Sequence, residues 1–176
     1  MPAGARDLVL RLPARIMLGG RVVGDLGPGA QLAFRRPGEG STSATLHVGG
    51  TFQFAVEGTG RGALVLVDAA SNQFGLVEGV APPRTDLVIT LRQGHVIEGV
   101  VEGPTSVGTT HVSARGELAA AGTTLGADGR FRLAGLPPGA YTLEVWSGDA
   151  TRARVARIEG VEAGATNVRL RVDDTK

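Results

Sequence analysis

Hydrophobic and polar residues alternate over short segments along the whole chain. Phe131 and Leu133 alternate with Arg130 and Arg132, and the same period of two runs through residues 141–146 and 168–172. Such alternation places successive side chains on opposite faces of a β-strand, with one face buried and one in water. In 141–146 it assigns Glu144 and Trp146 to the solvent-facing side. No stretch sustains a helical period, so the pattern predicts strands throughout.

Glycine and proline separate these segments. Asp128-Gly129 predicts a tight hairpin turn because glycine tolerates positive φ. Gly49-Gly50 stands at the matching place in the first half. Pro137-Pro138 and Pro82-Pro83 each interrupt the backbone hydrogen bonds between neighbouring strands, since proline has no N–H to donate. The spacing predicts about seven short strands per 80 residues, which is typical of a small antiparallel β-sandwich.

The chain also repeats itself. Asp7–Leu12 (DLVLRL) recurs as Asp86–Leu91 (DLVITL), a shift of 79 residues. At the same shift residues 16–24 match 95–103, and residues 50–54 match 129–133. Several matches in the same order indicate a duplication. We therefore predict two tandem sandwiches, residues 14–92 and 93–176, and expect a stiff pair because there is almost no linker between them.

Residues 1–13 contain a segment like the last strand of a repeat that is otherwise missing. This segment indicates that the chain is a fragment of a longer tandem array. Alternatively, it completes the sheet edge of a neighbouring subunit. The residues that would pair at such an edge are Leu8, Val9, Leu10, Arg11 and Leu12.

Residues 123–145 (TTLGADGRFRLAGLPPGAYTLEV) resemble the hallmark of carboxypeptidase regulatory-like domains, which are transthyretin-like (prealbumin-like) β-sandwiches. The resemblance covers about residues 94–172, and reaches 14–92 only through the internal repeat. There Gly49-Gly50 replaces the Asp-Gly turn, and Leu64 stands where the tyrosine belongs. The resemblance implies an all-β fold and a non-catalytic accessory module of bacterial envelope or secreted proteins.

Composition narrows the classes of function. The chain has no Cys, so disulfides and thiolate metal sites are excluded. Its net charge of +1 lacks the excess of positive charge that is typical of nucleic-acid-binding domains, so we predict no nucleic-acid partner. No stretch approaches 18 consecutive apolar residues, so we predict no transmembrane segment. The N-terminus has no signal-peptide core; the chain is cytoplasmic if Met1 is the native start, and otherwise part of a longer envelope or secreted protein.

Arginine residues of the second half are the strongest candidates for a binding surface. The chain has 18 Lys and Arg residues, and Lys176 is the only lysine among them. A shared sheet face would form a basic surface for carboxylates, phosphates or anionic sugars. Acids are as frequent in this half, however, so an ordinary solvated face with interleaved charges is the simpler interpretation. The candidate residues are Trp146, Arg130, Arg132, Arg152, Arg154, Arg169 and Arg171.

Two further kinds of site are weaker candidates. Trp146 could stack on a sugar or a partner, or pack between the two domains. His95 and His111, predicted in neighbouring strands, lack the spacing of a metal site, so we predict no metal and no cofactor. No serine lies in a nucleophile elbow, and we predict no enzyme. The sequence thus favours a structural or protein-interaction module, with a protein partner or self-association, and carbohydrate binding as the alternative.

Overall fold

The computed structural model describes residues 16–103, 110–146 and 154–172, with side chains from 156 onward in the last range. These residues form β-strands joined by turns, so the predicted all-β class is confirmed. No helix in the described ranges is long and apolar enough to cross a membrane. The strands are β1 (Ile16–Val23), β2 (Gln31–Arg35), β3 (Ser41–Ala44), β4 (Thr51–Val56), β5 (Gly62–Asp68), β6 (Gln73–Val80), β7 (Arg84–Gln93), β8 (His95–Glu102), β9 (His111–Arg115), β10 (Ala120–Thr124), β11 (Arg130–Leu136), β12 (Ala140–Trp146), β13 (Arg154–Glu162) and β14 (Val168–Arg171).

Strands β1–β7, which we call the N-terminal unit, form one hydrogen-bonded sheet in the order β3-β2-β5-β6-β7-β1-β4. The long strand β7 joins its two parts. It pairs in parallel with β1 through residues 84–90 and antiparallel with β6 through residues 91–93. Side chains from both parts meet in one apolar cluster that includes Leu18, Phe52 and Leu64. The sheet therefore folds over on itself around a core.

Strands β8–β14, the C-terminal unit, form a four-stranded sheet, β10-β9-β12-β13, and a three-stranded sheet, β11-β8-β14. These orders match β3-β2-β5-β6 and β4-β1-β7 of the N-terminal unit strand for strand. The registers match as well. Gly20 pairs with Phe52 and Leu87, and Gly99 pairs with Phe131 and Val168 at the corresponding positions.

The turn before the fourth strand of each unit has the same hydrogen bonds. The Gly129 N–H donates to the Gly126 carbonyl at 3.0 Å, and the Gly50 N–H donates to the His47 carbonyl at 3.0 Å. Gly129 has φ 74°, so the turn predicted at Asp128-Gly129 is present. The turn closes a local hairpin, in which the Gly126 N–H donates to the Arg130 carbonyl at 3.0 Å. It does not join two paired strands, because β10 and β11 lie in different sheets. Local turn chemistry does not specify whether the chain returns along the same sheet or crosses to the other.

The register also corrects the match between Leu64 and Tyr141. Leu64 pairs with Val77 as Leu143 pairs with Ile158, so Leu64 corresponds to Leu143. Gly62, which pairs with Val80, therefore occupies the place of Tyr141. The ring of Phe34 fills that space, because a Cβ on Gly62 would lie 2.7 Å from it.

Tyr141 takes the corresponding space in the C-terminal unit. Its buried hydroxyl donates to the Pro137 carbonyl at 2.9 Å. In the C-terminal unit, the residue that corresponds to Phe34 is Ala114, whose side chain is small. The correspondence follows from the register, because Ala114 pairs with Leu143 as Phe34 pairs with Leu64. Large and small residues have thus exchanged places between the units, which preserves the packing of each core.

Candidate interaction surfaces

The three-stranded sheet of the C-terminal unit gathers four of the predicted arginines on its outer face. Arg130 and Arg132 lie on β11, and Arg169 and Arg171 lie on β14, with β8 between the two strands. Their side chains point outward because Phe131, Leu133 and Leu170 occupy the alternate, buried positions. A shallow depression of about 610 Å³ lies over this face.

Acidic residues are interleaved among these arginines, as the sequence predicts. Glu98 and Glu102 lie on the central strand. Arg132 is 3.1 Å from Glu98, while Arg169 and Arg171 are 3.4 and 3.2 Å from Glu102. Arg130 is 3.5 Å from Asp128, in the preceding turn. Exposed pairs of this kind contribute at most about 1 kcal/mol each, so a binding partner can compete for them.

The other members of the predicted surface lie elsewhere. Trp146 and Arg154 pair with each other across β12 and β13, in the four-stranded sheet. They therefore do not share a face with the arginines of β11 and β14, and the predicted single surface is corrected to that extent. Arg152 and the segment Leu8–Leu12 fall outside the described residues. Alternation places each side chain on one face of its strand, but it does not assign the strand to a sheet.

Trp146 is half-buried and lies at the end of β12, where it pairs with His111. The opposite end of β9 leads to Leu118 and Ala119, which contact the N-terminal unit (described below). The alternative in which Trp146 packs between the two domains gains no support from this placement. Glu144, expected to face solvent, is 7% exposed, and Arg115 lies 3.9 Å from it.

The histidines do not converge. His95 begins β8 and His111 begins β9, which belong to different sheets, so the prediction of neighbouring strands is wrong. The Nδ1 atom of His111 lies 3.5 Å from the hydroxyl of Thr124. Within the described ranges no three residues among His, Asp and Glu are grouped so as to hold a metal ion.

The contact between the two units is formed by strand β5, a feature that the alternation pattern does not predict. All seven residues of β5 are buried. Leu64 and Leu66 point into the N-terminal core, whereas Ala63, Val65 and Val67 belong to the core cluster of the C-terminal unit. That cluster also holds Ala119 and Leu136, from the β9–β10 connection and from β11. The continuous apolar run of residues 63–67 was the available signal, because a strand with one wet face would alternate.

Polar backbone contacts complete this junction. Asn72, with φ 49°, accepts from the Gly135 N–H at its Oδ1 atom and from the Gly94 N–H at its carbonyl, both at 2.8 Å. A Cβ on Gly135 would lie 2.7 Å from the Asp68 carbonyl oxygen, and one on Gly94 would lie 2.7 Å from the Gly135 Cα atom. Glycine at both positions permits this close approach of backbones.

Asp68 supports the N-terminal side of the junction. Its carboxylate is fully buried and accepts from the Gly27 N–H at 2.6 Å and the Ser71 N–H at 3.2 Å. One side chain thus holds the loop before β2 and the turn between β5 and β6. That turn carries Asn72, so Asp68 positions the residue that binds the C-terminal unit.

No family model matches the sequence, and no curated protein matches it. Among solved structures the chain is similar to the Bacillus anthracis TIE protein (13% identity, TM-score 0.30, 90% of this chain and 34% of that one). It is also similar to a Streptococcal ancillary pilin (14%, 0.27, 91% and 63%) and to a mutant of the shaft pilin SpaA from Lactobacillus rhamnosus GG (8%, 0.32, 92% and 98%). The chain spans about a third of the first and less than two thirds of the second. At these values the likeness says nothing about what the chain binds.

Proposed function

We propose that the chain is a non-catalytic structural or protein-interaction module, built from two tandem copies of one transthyretin-like sandwich of the carboxypeptidase regulatory-like kind. In this proposal it holds the two domains, residues 14–92 and 93–176, in one fixed orientation within a larger bacterial cell-envelope or secreted assembly. The observation that carries the proposal is the junction, where β5 of one unit supplies part of the core of the other.

The matching strand orders support the duplication. In each unit the central strand carries a glycine that pairs with a phenylalanine on one side and an aliphatic residue on the other. Positive-φ glycines also recur at equivalent strand positions, as in Gly79 and Gly160 at φ 66° and 71°. Two independent folds would have no reason to share these positions.

The burial at the junction supports rigidity. Val65 is 3% exposed and Ala63 is 6% exposed, although neither faces the core of its own unit. Interfaces between domains within one chain are commonly polar and permit motion, whereas this junction is an apolar cluster shared by both units. Only Gly94 separates β7 from β8, and its N–H is bound to Asn72. Relative motion of the units would break apolar and hydrogen-bonded contacts together.

The carbohydrate-binding alternative gains no support from this geometry, because Trp146 and the arginines of β11 and β14 lie on different sheets. The absence of enzymatic activity, the protein partner and the compartment stay predictions. We place the partner-binding role on sheet faces outside the junction, such as the outer face of β11-β8-β14.

Val65→Asp tests the proposed rigid module. An unpaired carboxylate in the shared cluster is expected to cost several kcal/mol, and to replace a single calorimetric unfolding transition by two. Val88→Asp is the matched control, because Val88 is 44% exposed on β7, and it should leave the transition single. Two separate transitions in the unmodified chain, or an unchanged transition in Val65→Asp, would contradict the proposal.

A further inference from the structure

We infer that the outer face of the sheet β11-β8-β14 binds a carboxylate side chain of an extended protein segment, between Arg130 and Arg169. This inference deepens the proposed role as an interaction module and rests on it. Arg130 and Arg169 are the direct register partners of Val100 on either side of β8. Two strand spacings separate them, about 10 Å between Cα atoms, so both guanidinium groups can reach a ligand placed over Val100.

The N-terminal unit shows that the fold does not require these arginines. At the corresponding positions it has Thr51 and Val88, which flank Arg21 on β1. The backbone pairing there is the same, so the strand geometry is satisfied without a charge at either of these two flanking positions. Thr90 likewise corresponds to Arg171, and Gln53 corresponds to Arg132. The C-terminal unit has arginine at all four of these positions, and the N-terminal unit has arginine at none of the equivalent ones. This difference indicates that the arginines have a role other than maintaining the fold.

The distribution of charge on the face selects the kind of ligand. Glu98 faces Arg132 in the register row on one side of Val100, and Glu102 faces Arg171 in the row on the other side. Glu102 is shared, because it also lies 3.4 Å from Arg169. In the Val100 row, Arg130 is paired with Asp128, which is 63% exposed, whereas Arg169 has only a share of Glu102 among the described residues. The four arginines of the face thus meet three acids, which leaves surplus positive charge beside Val100 at Arg169.

A single carboxylate between neutral or basic neighbours fits this pattern. Nucleic acid or an anionic polysaccharide would place further negative charges over Glu98 and Glu102, where they are repelled. A protein segment can alternate its side chains so that one acid meets the Val100 row. Charged hydrogen bonds from arginine to carboxylate would then supply specificity.

The test uses the full chain, isotopically labelled, and an extended pentapeptide with one central glutamate flanked by valine and threonine. At low salt we expect amide shifts in NMR spectra to concentrate on Val100, Arg130 and Arg169, and a peptide with glutamine in place of the glutamate to produce none. In the double variant Arg130→Thr/Arg169→Val the affinity should fall at least about tenfold. This variant carries the residues of the N-terminal unit, so it should fold, which circular dichroism checks.

Arg132→Gln is the matched control, because it removes one positive charge from the same face outside the Val100 row and its partner is Glu98 rather than the Glu102 that Arg169 uses. Its affinity should change less than about threefold. Equal binding of the glutamine peptide, undiminished binding by the double variant, or binding of a heparin oligosaccharide or DNA in preference to the peptide would overturn the inference. The unfolding transition of the Val65 variants is independent of these results, so the two proposals can fail separately.

Discussion

The single tyrosine offers a direct test of how the C-terminal core is built. Tyr141 is 4% exposed, and its hydroxyl donates to the Pro137 carbonyl. Burial raises the pKa of Tyr141 from its ordinary 10.0 to about 12, although the positive charge of Arg35 in β2 opposes this shift. The neutral form is therefore favoured in the folded chain.

The sign of the pH dependence follows. Because the folded pKa lies above the unfolded one, the contribution of neutral Tyr141 is fully present below pH 10 and is lost as the pH rises toward 12. A shift of about 2 units corresponds to roughly 3 kcal/mol in the limit, and about 2 kcal/mol is lost by pH 11.5. Tyr141→Phe should remove this loss. It should also cost about 1–3 kcal/mol at pH 8, since the buried Pro137 carbonyl loses its donor.

Urea unfolding followed by circular dichroism at pH 8 and pH 11.5 measures both effects. Absorbance at 295 nm reports the ionisation of Tyr141 alone, because the chain has one tyrosine. We expect the wild type to lose about 2 kcal/mol between the two pH values through this group, and the Phe variant to lose that much less. A midpoint near pH 10 in the folded chain, or equal losses in both proteins, would refute the buried hydrogen-bonded tyrosine.

Two further substitutions, Gly135→Ala and Asp68→Ala, test the junction, and Gly160→Ala is the control for the first. Gly135→Ala and Gly160→Ala place a side chain at nearly the same positive φ, 72° and 71°, which costs about 1 kcal/mol in each. A Cβ at Gly135 would meet backbone atoms, whereas nothing lies within 4 Å of a Cβ at Gly160. Gly135→Ala should therefore lower the thermal midpoint clearly more than Gly160→Ala does. Equal effects of the two substitutions would argue against the close approach of backbones at Gly135. Asp68→Ala leaves the N–H groups of Gly27 and Ser71 without their carboxylate and should cost about 2–4 kcal/mol by urea unfolding; a cost below about 0.5 kcal/mol would show that water replaces it.

The strands themselves could be predicted from the sequence, because alternation is a local property of each segment. Phe131 and Leu133 identified a buried face, and Arg130 and Arg132 an exposed one, as found. The internal repeat also predicted equivalent turns at Gly50 and Gly129. These features depend on a few neighbouring residues and on the φ values that glycine permits.

The assignment of strands to sheets could not be predicted in the same way. The position of Trp146 relative to the arginines depends on the crossover between β10 and β11, for which the turn residues carry no signal. The burial of Glu144 similarly depends on what covers the sheet. The contact made by the outer face of β5 could not be predicted for a different reason. The apolar run from Ala63 to Val67 identifies a strand that is buried on both sides, but it does not identify the element that covers the outer side.

We propose that the two units form one rigid body through a shared core. Since the chain has no Cys, labels can be attached at Val88→Cys on β7 and Glu159→Cys on β13, both exposed positions. Pulsed electron paramagnetic resonance between two spin labels should give a single narrow distance distribution, which broadens when Val65→Asp is added. A broad distribution in the otherwise unmodified chain, as expected for two domains on a flexible linker, would contradict the claim.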